Sequence, residues 1–196
     1  YISNTTTSPT EGGCSGHGQG GVEAITNYIR NPSVRTSVVQ WLPVANISRV
    51  ADAQAASGYA VEKDASTYQV YTAVSGIPAN VQTGVFAIDA WLPADETVSS
   101  RAIRLWGETA GPPYNGWASQ TVTVTKTKQR FYAVITKPIG ETSASIGIRD
   151  SSGIRLRVSA AFVGMVSGQP AYYDGNSPNW GWNGTPDNST SSGPAL

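Results

Sequence analysis

Residues 84–92 read GVFAIDAWL, and the order of apolar and polar side chains along them decides the fold class that we predict. Successive side chains of a β-strand point to opposite faces of a sheet, so alternate residues share a face. One face is entirely apolar and is predicted to point inward: Phe86, Ile88, Ala90 and Leu92. The other carries a carboxylate and an indole and is predicted to point outward: Val85, Ala87, Asp89 and Trp91.

The same alternation recurs further along the chain. In RAIRLWGE (101–108) the predicted core side holds Ile103 and Leu105, and the predicted outward side holds Arg104, Trp106 and Glu108. TVTVTKTK (121–128) is predicted to bury Val122 and Val124, with RFYAVIT (130–136) as its neighbouring strand. These stretches are bounded by Gly, Pro, Asn and Asp, which is typical of antiparallel strands joined by turns.

The last long stretch, GIRLRVSAAFVGMV (153–166), is also predicted to be a strand. Its predicted inward side holds Ile154, Leu156, Val158, Ala160 and Phe162. Arg155 and Arg157 fall on its other side, and with Arg149 they are predicted to form a solvated face. No stretch of 12 or more residues shows a capped helical period, so the fold is predicted to be an all-β antiparallel sandwich.

The composition divides the chain into three parts. Residues 1–21 are rich in Ser, Thr and Gly and are predicted to be a flexible arm or linker, because they offer little surface to bury. The sandwich is predicted over residues 22–175. Residues 176–196 are aromatic and rich in turn formers, and we expect them to pack on the sandwich or on a neighbouring subunit, with rings covering an exposed apolar edge.

The charge balance favours neutral partners. Thirteen basic residues match thirteen acidic ones in 196 residues, so no field attracts nucleic acid or an anionic membrane. No apolar run has the length of a membrane span, which argues against membrane insertion. The single cysteine, Cys14, cannot form an internal disulfide.

Catalytic residues are few. His17, the only histidine, lies beside Cys14 in the glycine-rich arm, where nothing holds it near a nucleophile or completes a metal site, so no cofactor and no metal are predicted. A carboxylate pair of the glycosidase kind could come only from a small set of residues that fit the polar faces of strands and turns equally well. That set is Glu62, Asp89, Asp95, Glu96 and Glu108. The protein is therefore predicted not to be an enzyme.

Aromatic residues on the predicted outward faces suggest a different chemistry. Sugars stack their CH faces on rings and bond through their hydroxyls to carboxylates and guanidinium groups. We therefore predict a shallow site for a neutral cell-surface glycan, formed by Asp89, Trp91, Arg104, Trp106 and Glu108. The alternative is that these rings cover a sandwich edge or a subunit contact.

Two stretches carry a resemblance to known families. YIRNPSVRTSVVQW (28–41) resembles the opening of jelly-roll carbohydrate-binding modules, and GVFAIDAWL takes the place where such modules begin their long sheet. AYYDGNSPNWGWNGTPDNSTSS (171–192) resembles the terminal motif of minor tail and other virion proteins of phages that infect actinobacteria. The matching positions that define this C-terminal motif are Tyr173, Asp174, Gly175, Trp182, Gly184, Thr185 and Pro186. Asn176 and Asn183 depart from it, and Asn176 removes a carboxylate that could have held a cation.

The resemblance implies a jelly-roll domain in a phage virion, most simply a minor tail component that attaches to the host surface. Its expected partners are other virion proteins, further copies of itself in a homo-oligomer, and a host glycan. A capsid-decorating or head-fibre protein with a structural jelly roll is one alternative, and a cell-wall-directed glycosidase is the other.

Overall fold

The computed structural model describes residues 24–150 and 153–194, so the predicted arm, 1–21, lies outside the described residues. Within the described residues the regular structure consists of strands and one 3₁₀ turn at Val44–Asn46, with no α-helix. In chain order the strands are β1 (Ile25–Asn27), β2 (Trp41–Leu42), β3 (Ile47–Ala51), β4 (Tyr59–Lys63), β5 (Gln69–Ser75), β6 (Thr83–Trp91), β7 (Ser100–Thr109), β8 (Gly116–Thr125), β9 (Gln129–Thr136), β10 (Ser143–Arg149), β11 (Leu156–Gly164), β12 (Gly181–Trp182) and β13 (Ser191–Gly193).

Two five-stranded sheets face each other across the core. One has the order β2-β5-β10-β7-β8 and the other the order β3-β4-β11-β6-β9, and the pairs within both are antiparallel. We call the first the open sheet and the second the covered sheet, after the state of their outer faces. This arrangement confirms the predicted all-β jelly-roll sandwich.

Strand β6 lies in the covered sheet and is buried on both faces. Its predicted inward residues Phe86, Ile88 and Ala90 do pack in the core between the sheets, as does Leu92 just after it. The predicted outward residues are not exposed, which corrects the sequence reading: Val85, Ala87, Asp89 and Trp91 are all buried. The reason is that other parts of the chain lie over the outer face of this sheet.

Strand β11 contains a β-bulge that changes which residues face the core. The register with β6 shifts between Ser159 and Phe162, and Ala160 has a φ of 52°. An extra residue in a strand reverses the inward and outward alternation beyond it. Val158 and Val163 therefore both face the core, while Phe162 faces outward. The predicted placement of Ala160 and Phe162 beside Leu156 was wrong.

Strands β8 and β9 are consecutive in the chain but belong to different sheets. Residues 126–128 carry the chain from one sheet to the other, and β9 pairs with β6. The predicted pairing of 121–128 with 130–136 was therefore wrong. Val124 is buried in the core as predicted, and Val122 is half-buried against it.

Residues 171–194, which we call the tail, cover part of the outer face of the covered sheet. Trp180 stacks on Tyr173 with ring centroids 5.1 Å apart and packs edge-on against Phe162 at 6.4 Å. At the end of the tail, β13 pairs with β1, with Ile25 opposite Gly193. Beyond this tail contact the loop around Ala55 covers Trp91, so much of this face is shielded from solvent.

The C-terminal motif residues shape the tail. Asp174 is buried, and its Oδ1 accepts hydrogen bonds from Asn176 N (2.9 Å) and Ser177 Oγ (3.4 Å). Its Oδ2 accepts one from Tyr172 Oη at 2.7 Å. Burial, and then the charge of Asp174, raises the pKa of Tyr172 well above its usual value. At Gly175 an added Cβ would lie 2.3 Å from the Trp182 ring, so only glycine fits there.

Candidate functional site

The five predicted glycan-site residues are divided between the two sheets. Asp89 and Trp91 lie on β6 of the covered sheet, whereas Arg104, Trp106 and Glu108 lie on β7 of the open sheet. Both groups point away from the core, so they face opposite sides of the sandwich. The structure therefore does not assemble the predicted five-residue site.

Trp91 and Asp89 make contacts within the protein. Trp91 is fully buried, and its Nε1 donates a hydrogen bond to Asp52 Oδ2 at 2.8 Å. Asp89 is buried and accepts from Arg130 Nη1 at 2.9 Å, with Lys128 Nζ 3.5 Å away. Neither side chain presents a surface to a ligand, because a buried indole and a buried paired carboxylate have no free contact face.

The three residues on the open sheet belong to a compact cluster. Trp106 lies next to Gly147 on β10, and Tyr71 on β5 flanks Gly147 on its other side. The Tyr71 and Trp106 rings are tilted by 56° with centroids 5.8 Å apart. Gly147 permits this close approach of the strands, since an added Cβ would lie 2.2 Å from Val70 O. We call Tyr71, Arg104, Trp106, Glu108 and Arg149 the open-face cluster.

The guanidinium of Arg149 covers one face of the Trp106 ring. Its guanidinium carbon lies 3.6 Å from the Trp106 ring centroid, within the range of a cation–π contact. Its Nη2 is 3.1 Å from Glu108 Oε1 and its Nε is 3.1 Å from Gln69 Oε1, which fixes the guanidinium plane. Arg149 and Tyr71 leave Trp106 only 3% exposed.

Trp106 also carries an unused donor. Its Nε1 is buried and makes no hydrogen bond to any of the described residues. An unpaired buried N–H costs free energy, and such a donor next to a surface depression is suited to a ligand oxygen.

Two depressions adjoin the cluster along the strand direction. Their volumes are about 550 Å³ and 500 Å³, and Arg104 and Arg149 line both. The first extends to Tyr68, whose side chain is 59% exposed, and the second extends to Trp117 and Val134. We call the two depressions together the groove; most of its lining lies on the open sheet, and Val134 and Thr136 of β9 border one end.

The sequence reading missed Tyr71 and Gly147 and assigned Arg149 only to a solvated face. Tyr71 sits in a period-two stretch, QVYTAVS, that could have marked it as outward. Strand β10 lies between β5 and β7, and this order brings Arg149 to Trp106. The order of strands cannot be predicted from the residues of one strand, so this contact had no signal in the sequence. Arg155 and Arg157 were likewise read as solvated, but Arg155 Nη2 binds Asp95 Oδ1 (2.9 Å) and Arg157 Nε binds Glu62 Oε2 (2.7 Å).

Three of the candidate catalytic carboxylates, Glu62, Asp95 and Glu96, surround the Arg155 guanidinium at 3.9, 2.9 and 3.5 Å, so each is occupied by an ion pair with the same cation. Asp89 is also engaged in an ion pair. The acidic residues that line the groove are Glu108 and Asp150. Ser145 pairs with Glu108 across the β7–β10 ladder, and Asp150 lies five positions after Ser145. Glu108 and Asp150 are therefore about 16 Å apart along the strand direction. That exceeds the separations of about 5–10 Å that glycosidases use. Among the described residues no group of three or more His, Cys, Asp or Glu could hold a metal ion.

Burial and hydrogen bonds shift the pKa of several acids on the covered sheet. Burial raises the pKa of Asp52, but hydrogen bonds from Gln54 N, Arg157 and Trp91 outweigh it and leave the pKa below its ordinary value. The same balance lowers the pKa of Glu96, whose carboxylate accepts from Thr97 N and Arg155 N. These acids are ionised at neutral pH, and their carboxylates accept hydrogen bonds beside the covered sheet.

No helix in the described part of the chain has the length and apolar character to cross a membrane.

Comparison with known proteins shows a likeness of fold. No family model and no curated protein matches the chain. The xylan-binding CBM22-1 domain of Paenibacillus barcinonensis Xyn10C superposes with a TM-score of 0.54 at 7% identity, over 76% of this chain and 98% of that one. The CBM22-1–GH10 modules of Clostridium thermocellum endo-1,4-β-D-xylanase 10B, complexed with xylohexaose, give a TM-score of 0.52 at 11% identity, over 75% of this chain and 28% of that one.

A phage protein contains the same fold. The enzymatically active domain of bacteriophage CBA120 tailspike protein 4 gives a TM-score of 0.52 at 12% identity, over 71% of this chain and 21% of that one. The chain thus spans about a quarter of the xylanase and tailspike chains and nearly all of the isolated module. It has the fold of carbohydrate-binding modules.

Proposed function

We propose that the protein is a non-catalytic, glycan-binding component of a bacteriophage virion, and that it binds glycan in the groove on the open sheet. The observation that carries the proposal is the open-face cluster. It combines an aromatic pair, a stacked guanidinium and a carboxylate on a sheet face that the tail does not cover. Rings for the CH faces of sugars and charged groups for their hydroxyls are the side chains that a glycan site needs.

Several observations support a binding role without catalysis. Most of the candidate carboxylates form ion pairs on the covered sheet, and Glu108 binds Arg149. The solved structures that share the fold include xylan-binding modules. The two depressions are also open to solvent, so we expect each copy to bind weakly. Several copies on one particle would raise the overall affinity by acting together.

The virion part of the proposal rests on the C-terminal motif, from Tyr173 to Pro186, and on the presence of the fold in a phage tailspike. In this reading the protein is a minor tail component that holds its groove outward for attachment to the host surface. Its partners are further copies of itself and other virion proteins. Immunogold labelling of purified particles tests this location: label on tails is expected, and particles without label would refute it.

Glycan binding is tested with the variant Tyr71→Ala, because Tyr71 is the half-buried ring of the cluster, whereas Trp106 is 3% exposed beneath Arg149. We expect at least a tenfold loss of affinity for a host cell-wall glycan in affinity electrophoresis, since each ring contributes on the order of 1 kcal/mol beyond its buried area. Trp182→Ala is the matched control, because it removes an indole from the tail on the other side of the sandwich. Circular dichroism identifies variants that fail to fold. Equal affinity of the folded Tyr71→Ala variant and the control would refute the groove as the site.

A further inference from the structure

The charges of this neutral chain are unequally distributed between its two sheets. On the covered sheet, Arg155 and Arg157 are bound to Asp95, Glu62 and Asp52, and Arg49 lies over the Tyr59 ring. On the open sheet, Arg104 lines both depressions and forms no ion pair with any described residue. The groove therefore contains a cation that the protein itself does not neutralise.

Arg104 is held in a position suited to an anion. Its Nε donates to Ser119 Oγ at 2.9 Å across the β7–β8 pair, which restrains the side chain on the sheet surface. Nη1 and Nη2 make no hydrogen bond to the described residues, so four N–H donors remain available. A guanidinium presents such donors as a fork that matches the two oxygens of a carboxylate or phosphate.

A second arginine stands directly opposite the first. Arg149 and Arg104 are cross-strand partners in the β10–β7 pair, and like charges in that position repel. Glu108 Oε1 lies 3.1 Å from Arg149 Nη2 and forms an ion pair with Arg149 but not with Arg104. Arg30 adds a further cation at the end of the same face, with its Nη2 3.4 Å from Ser75 Oγ. An anion bound at Arg104 would relieve the repulsion between the paired arginines.

We propose that the groove is selective for an acidic glycan, whose carboxylate or phosphate group binds the fork of Arg104 while a neighbouring sugar ring lies on the open-face cluster. This inference rests on the proposed glycan-binding function and replaces the neutral glycan expected from the net charge. A nucleic acid is a poorer fit, because its affinity comes from many neutralised phosphates and the groove offers a single unpaired cation.

The test compares an acidic polysaccharide with its own neutral form. Polygalacturonate and its carboxyl-reduced product share a backbone and differ in charge, and a glycerol-phosphate polymer supplies the phosphate alternative. Isothermal titration calorimetry of the wild-type protein should show about tenfold tighter binding of one acidic polymer than of the reduced polymer, as expected for a charged, bidentate contact. That preference should fall as salt is raised from about 50 to about 500 mM, because the Debye length falls over this range from more than about 10 Å to less than about 8 Å.

Arg104→Gln should bring the ratio of the two dissociation constants close to one. Arg104→Lys, which keeps the charge but loses the fork, should leave a ratio between those of the wild type and Arg104→Gln. Arg35→Gln is the matched control: it makes the same charge change at an exposed residue outside the groove, and it should retain the full ratio.

The outcomes separate this inference from the proposed function. Equal binding of acidic and neutral polymers by the wild type, or an unchanged ratio in Arg104→Gln, overturns acidic selectivity while glycan binding stands. Absence of binding to either form and to host cell-wall glycan removes the proposed function and the inference together.

Discussion

Replacing Trp180 with alanine should release the tail from the covered sheet. The ring is 8% exposed, stacks on Tyr173 at 5.1 Å, and lies so close to Gly193 that a Cβ there would come within 2.4 Å of it. Trp180 therefore joins the start of the tail, the β13 end of the tail and the outward Phe162 in one contact.

The expected cost follows from these contacts. Truncation of a buried tryptophan costs about 3–5 kcal/mol, and the value should lie at the lower end because the tail can detach and so limit the loss. We expect a decrease of about 3 kcal/mol in the free energy of unfolding. For a chain of this size that corresponds to a fall in Tm of roughly 6–12 °C.

The assay is urea unfolding followed by tryptophan fluorescence, together with limited proteolysis mapped by mass spectrometry. Trp182→Ala is the matched control, because Trp182 lies two residues further along the tail and is half-buried. The Trp180 variant should be cut within residues 171–194 before the sandwich is cut. If Trp180→Ala costs no more than Trp182→Ala, or if the tail is cut no faster than in the wild type, the tail is not held by this ring.

Two further predictions concern the sheets. Gly147→Ala should lower the free energy of unfolding by about 1–3 kcal/mol and weaken glycan binding, since its Cβ would lie 2.2 Å from Val70 O and displace Tyr71. Urea unfolding measures this against the control Gly181→Ala, whose added Cβ would meet no atom within 4 Å. Equal unfolding midpoints for the two variants would contradict the prediction. The lowered pKa of Asp52 means that its carboxylate contributes stability above the unfolded value of about 3.8, and that this contribution is lost as the pH falls through the lower folded value. Asp52→Asn should therefore be less stable than the wild type at pH 6, with a difference that shrinks below pH 4; urea midpoints across this range test it, and a constant difference would show that Asp52 is not responsible.

The sequence alone was sufficient to predict which residues face the core where a local pattern determines the structure. The alternation in 84–92 and 101–108 correctly placed the inward residues, such as Phe86 and Leu105, because strand periodicity depends only on neighbouring residues. The outward side of β6 was misread because its cover comes from Trp180 and Ala55, which are distant in sequence.

The errors at the site have the same origin. Trp91 and Trp106 share a pattern but not a sheet, and the order of strands within a sheet is set by the whole fold. Arg149 reaches Trp106 through that order as well. The bulge at Ala160 could not be anticipated, since nothing in the SAAF stretch marks an extra residue.

The pairing of β1 with β13 has a mechanical consequence. Ile25, where β1 begins, lies opposite Gly193, where β13 ends, so the chain leaves both strands at the same end of the ladder. A pull on the two ends would separate the ladder one residue pair at a time instead of loading its three pairs together. Once the ladder and the Trp180 contact open, residues 171–194 could extend to about 80 Å while both sheets stay folded. Under tension the domain would lengthen without distorting the groove, so the load on the chain and the proposed glycan site would lie in different parts of the molecule.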